Sequence, residues 1–116
     1  MHVQQVCDWC AAMPASTVAT TFDPDVHDYR IGGKIFALVS LVDDYVTVKV
    51  VPDDGEALRA QYAFVRPGYS MNKRHWITVD LVPEAPMDEV RALIEDSYHL
   101  VLSSLPKKRR VELLGR

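Results

Sequence analysis

Cys7 and Cys10 stand in Cys7-Asp8-Trp9-Cys10, the spacing of a redox pair. Such a thiol becomes reactive when a preceding strand delivers it to a helix N-terminus, where its pKa falls. Nothing precedes this segment that reads as a strand. Val3, Val6, Cys7 and Cys10 fall at i, i+3, i+4 and i+7, one apolar face of an opening helix, so both thiols are expected to be buried and inert. A zinc site would need two more ligands, and there is no second cysteine pair to supply them. Asp23, Asp25, His27 and Asp28 could gather around a cation, but Asp beside Pro24 is ordinary turn chemistry and the calcium-loop spacing is absent. Gly32-Gly33-Lys34 resembles the end of a phosphate loop, yet Asp28 stands where its first glycine belongs and Ile35 follows the lysine. A turn or a strand start is the better reading. No G-x-S-x-G, H-E-x-x-H or G-x-G-x-x-G occurs. The four histidines are scattered, and His75 alternates with Ile77 and Val79, the pattern of a half-buried side chain rather than a general base. No catalytic residue, metal or cofactor is expected.

One distribution points further. Arg66, Tyr69, Lys73, Arg74 and Trp76 interleave cations with aromatic rings, and Lys107, Lys108, Arg109 and Arg110 follow near the C-terminus. Cations neutralise phosphates, and aromatic rings stack on bases. The chain of 116 residues carries a net charge of −3, yet residues 107–116 carry +4 and the remainder −7. A polyanion could therefore approach only where positive charge is concentrated. If nucleic acid is bound, Arg66, Lys73, Arg74 and Trp76 are the expected contacts, with Lys107 to Arg110 as a second basic patch.

The elements that must position these residues follow from periodicity. Charged residues make up 25% of the chain and apolar residues 48%, a globular balance that fits one domain over 1–116. No apolar run approaches the ~20 residues that span a bilayer, and no basic n-region or h-region opens the chain, so a cytoplasmic location without membrane attachment is expected. Strands are predicted over 16–22, 34–42, 45–51 and 74–81, with Asp43-Asp44 as a hairpin turn. Helices are predicted up to Pro14, over 53–62, from Pro86 to about 104, and over 107–114. Val90, Leu93, Ile94, Ser97, Tyr98, Val101 and Leu102 form the stripe of the longest helix. Val48, Ile77, Leu93, Ile94, Val101 and Leu102 are the expected core. The order α-β-β-β-α-β-α-α implies an α+β, two-layer sandwich: an antiparallel sheet with helices packed on one face.

Tyr29-Arg30-Ile31-Gly32-Gly33-Lys34-Ile35-Phe36-Ala37, Arg66-Pro67-Gly68 through Asn72-Lys73-Arg74-His75-Trp76, Ser97-Tyr98-His99-Leu100-Val101 and Leu105-Pro106-Lys107-Lys108 come in the order of similar blocks in the MmcQ/YjbR family, which the chain resembles over nearly its whole length. Phe22-Asp23-Pro24-Asp25 is similar to that family's F-G-P-D turn, with Asp23 in place of glycine. The resemblance implies a frataxin-like (CyaY-like) fold and a DNA-binding label, given for a "double wing" of sheet and hairpins. It brings no catalytic residues. Three functions follow as expectations: a non-catalytic DNA-binding or regulatory module, a protein-interaction adaptor, and weak iron binding by the acidic loop.

Overall fold

The strongest alternating runs of the sequence pair with one another in the computed structural model, which describes residues 2–68 and 71–115. In chain order the elements are α1 (His2–Ala12), β1 (Thr17–Asp23), β2 (Val26–Ile31), β3 (Lys34–Ser40), β4 (Tyr45–Lys49), α2 (Pro52–Gln61), β5 (Val65–Pro67), β6 (Trp76–Asp80), α3 (Met87–Ser103) and α4 (Lys107–Leu114). The strands form one antiparallel sheet in the order β1-β2-β3-β4-β6-β5. The expected two-layer α+β sandwich is present, with β2 and β5 added to the element order. No described helix is long and apolar enough to cross a membrane.

Alternation along the strands sends Tyr29, Ala37, Val39, Val46, Val48, Ile77 and Val79 into the core, where Val3, Val6, Cys7 and Cys10 of α1 and Val90, Ile94, Tyr98 and Val101 of α3 meet them. Of the expected core, Val48, Ile77, Ile94 and Val101 are buried. Leu93 and Leu102 are only partly buried, because they sit on the flanks of the α3 stripe. His75 also departs from expectation. It lies one residue before β6 and its side chain is exposed.

Two local features shape the end of the sheet that matters below. β2 turns into β3 through Gly32-Gly33, with Ile31 opposite Lys34 and φ of 60° and 81°. Positive φ at both turn residues gives a hairpin whose twist matches its strands, and glycine adopts it without strain. A Cβ on Gly32 would also lie 2.7 Å from the Leu105 side chain. Next to the turn, Tyr29 pairs with Ala37 but Arg30 pairs with Ile35, leaving Phe36 as an extra residue on β3. Such a bulge re-aims a side chain. The Phe36 ring is fully buried and meets Tyr98 of α3 edge-on, with centroids 5.3 Å apart.

Candidate functional site

β3 and β4 are paired from Ser40–Tyr45 to Ala37–Val48, and beyond that point a side chain from α3 completes the join. The Ser97 hydroxyl accepts a hydrogen bond from the Lys49 N–H at 2.8 Å and donates one to the Phe36 carbonyl at 2.6 Å. Past this insertion the strand ends frame a cleft of about 330 Å³, lined by Arg30, Gly33, Lys34, Ile35, Lys49, Met71, Trp76, Val101 and Ser104. Three of the nine are cations, one is an indole, and none is a carboxylate.

Each cation arrives by a different route. Lys49 ends β4 directly opposite Trp76, the first residue of β6. Cross-strand partners point to the same face with Cβ atoms about 5 Å apart, so the ammonium stem and the indole are neighbours. Lys34 follows the glycine turn and is exposed. Arg30 is held in place: its Nε donates to Asp28 at 2.8 Å and its Nη1 to the Gly33 carbonyl at 3.0 Å. Asp28 is fully buried and also accepts from the Thr21 N–H and hydroxyl. Burial alone would raise its pKa, but these donors and the Arg30 charge outweigh it and hold the carboxyl below its ordinary value. Asp28 is thereby a partner of the cleft arginine, engaged with Thr21 and Arg30.

The residues expected from sequence divide. Trp76 lines the cleft, half-buried. Gly68 abuts its backbone: the Gly68 N–H donates to the Trp76 carbonyl at 2.9 Å, and a Cβ on Gly68 would lie 2.6 Å from that of Trp76. Lys73 and Arg74 are exposed two and three residues past Met71; Lys73 Nζ reaches the Gly68 carbonyl at 3.4 Å. Tyr69 lies outside the described residues. Arg66 is already committed, because its Nε and Nη2 form a two-pronged pair with Asp80 at 2.8 and 2.7 Å. On α4, Lys107 and Lys108 are exposed, Arg109 pairs with Glu112 at 3.2 Å, and Arg110 donates to the Leu105 carbonyl at 2.7 Å. α4 is nonetheless joined to this end of the molecule. Leu105 and Leu113 both lie against Gly32, and Ser104, three residues before Lys107, lines the cleft.

Arg30, Lys34 and Lys49 were not among the sequence candidates. Arg30 and Lys34 flank a glycine pair that read as a failed phosphate loop, and Lys49 read as one member of an alternating strand. Only the pairing of Lys49 with Trp76 and the hairpin at Gly32-Gly33 gather them. The cysteines are buried as expected. Burial pushes the Cys10 thiol up to about 12, with the Cys7 charge adding to it, the opposite of an activated thiol. Among the described residues, no group of three His, Cys, Asp or Glu side chains is placed to hold a metal.

These features define a small α+β protein with a cleft, lined by three cations and an indole, at one end of an antiparallel sheet. The YjbR family model matches residues 11–100, and the chain belongs to that family. The chain is 30% identical to the uncharacterised Escherichia coli K12 protein YjbR over 95% of both chains. It is 36% identical to the uncharacterised Escherichia coli O157:H7 protein YbdF, over 83% of this chain and 80% of the other. The crystal structure of Deinococcus radiodurans protein DR2400, with a DUF419 domain, superposes with a TM-score of 0.89 at 31% identity, covering 96% of this chain and 86% of that one.

Proposed function

We infer that the protein is a non-catalytic, cytoplasmic DNA-binding or regulatory module that holds nucleic acid through its phosphates at the basic end of the sheet. The observation that carries this reading is the cleft itself: Arg30, Lys34 and Lys49 line it together with Trp76, and none of its described lining residues is a carboxylate. In a chain of net charge −3, that is where a polyanion meets attraction first. Lys73, Arg74, Lys107 and Lys108 extend the surface, whereas Arg66 is neutralised by Asp80. Fluorescence anisotropy with labelled DNA tests the reading. Neutralising three phosphates gives an affinity that falls about 20- to 40-fold between 50 and 200 mM salt. Absence of binding at low salt and high micromolar protein overturns it.

A second reading draws on the opposite end of the sheet. There Phe22 and Val42 are 64% and 66% exposed beside Asp23, Asp25, Asp43 and Asp44. Exposed apolar side chains rimmed by charge favour a protein partner, and this surface leads if DNA is not bound.

A further inference from the structure

We propose that the Arg30–Lys34–Lys49–Trp76 cleft takes one unpaired nucleotide, with its base on the Trp76 indole and its phosphate between Lys34 and Lys49, making the ligand single-stranded rather than duplex nucleic acid. The inference rests on the reading of this end as a nucleic-acid surface and names which form it selects.

The argument begins with shape. Duplex DNA is read by elements that protrude into a groove, and its base faces are closed off by stacking. Here the aromatic ring lines a concavity, and its volume of about 330 Å³ lies at the lower end of the range that encloses a small molecule. A half-buried ring along such an open cleft meets the face of a base only after the base has left the stack. The chemistry of the lining agrees. Single-strand sites combine cations that track the backbone with aromatic faces on which bases stack, independent of sequence. Lys49 and Trp76 stand opposite each other on adjacent strands, so a phosphate on the first and a base on the second are about one nucleotide apart. Arg30 is fixed by Asp28 and Gly33, and among the described residues no carboxylate lies within ion-pair distance of Lys34 or Lys49.

The test uses the whole chain carrying Trp9→Phe, which leaves Trp76 as the only tryptophan. It is titrated with oligothymidylate, oligouridylate and a 20-base-pair duplex. Single strands are expected to quench Trp76 emission at saturation and to bind at least tenfold more tightly than the duplex. The deoxy and ribo arms decide between DNA and RNA. Trp76→Ala should weaken single-strand binding about 5- to 150-fold, the range for loss of one stacked base, and Trp76→Phe should recover most of it. Should Trp76→Ala not fold, the Phe variant and the quenching carry the test. Equal or tighter duplex binding without quenching overturns the single-strand assignment and leaves the nucleic-acid surface standing. No binding of any of the three overturns both.

Discussion

The two ends of the sheet are built from the same elements, antiparallel strands joined by tight turns, and have opposite chemistry. At one end the Asp23–Asp25 and Leu41–Asp44 turns are tied together by the Leu41 N–H donating to the Asp25 carbonyl at 2.9 Å. Four aspartates crowd there around exposed Phe22 and Val42. Asp23 secures its turn with its own side chain, which accepts from the Asp25 N–H at 2.8 Å, so aspartate serves where the family pattern has glycine. At the other end the turn is Gly32-Gly33, none of the described cleft-lining residues is a carboxylate, and three cations share the cleft with an indole. The acidic end closes its strands with backbone and Asp side chains. The basic end leaves strand ends apart and fills the gap with Ser97. The cleft thus comes from a hydroxyl of the helix layer that lets β3 and β4 separate without orphaning their polar groups.

Breaking that device should have the largest effect. Ser97→Ala strands the Lys49 N–H and the Phe36 carbonyl, and each buried group left unsatisfied costs about 1–3 kcal/mol. Ser40→Ala, near the acidic turn, removes one acceptor for the Asp43 N–H, which water can replace, and should cost under about 1 kcal/mol. Urea melts compare the two, and equal losses would erase the contrast. Turn chemistry comes next. Gly32→Ala forces a side chain into positive φ against Leu105 and should lose about 1–2 kcal/mol. Asp44, at φ 50°, already bears such strain, so Asp44→Gly should be neutral or gain up to about 1 kcal/mol in the same melts.

Titration of the buried carboxylate has a smaller effect. The Asp28 carboxyl has a pKa below its ordinary 3.8. Its ionic contacts therefore add stability that is fully present above that value and is lost as pH falls through the lower, folded one. Asp28→Asn should flatten the stability profile below about pH 4 and loosen Arg30. A profile identical to the parent's in Asp28→Asn would show that the carboxylate does not hold the arginine.

Much of the fold was legible because apolar spacing decides it. The buried faces of α1 and α3, the α4 span over 107–114 and the β3–β4 hairpin all follow from period 3.6 or period 2. β2 was missed because Asp28 and Arg30 interrupt its apolar alternation, although they neutralise each other across i and i+2 and Asp28 is buried. β5 has three residues and ends in proline, too little pattern to see. Leu93 and Leu102 have the right spacing for the core but sit at the edge of the stripe, a matter of helix rotation that spacing does not fix. Trp76 could be singled out from sequence. Its partners could not, since Arg30, Lys34 and Lys49 belong to three strands and meet only through register. Arg66 looked available for the converse reason: its Asp80 partner lies on a neighbouring strand.

The salt dependence of binding is the deciding measurement. Affinity for a labelled oligothymidylate is measured across a salt series for the parent protein, for Lys34→Ala/Lys49→Ala and for Asp43→Asn/Asp44→Asn. The log–log slope should become shallower by about 0.7 in the lysine variant, the contribution of the one phosphate held between the two lysines on a single strand, at unchanged melting temperature. The aspartate variant should keep the parent slope. A lysine variant with the parent's slope and affinity would contradict the claim that this end of the sheet is where nucleic acid binds.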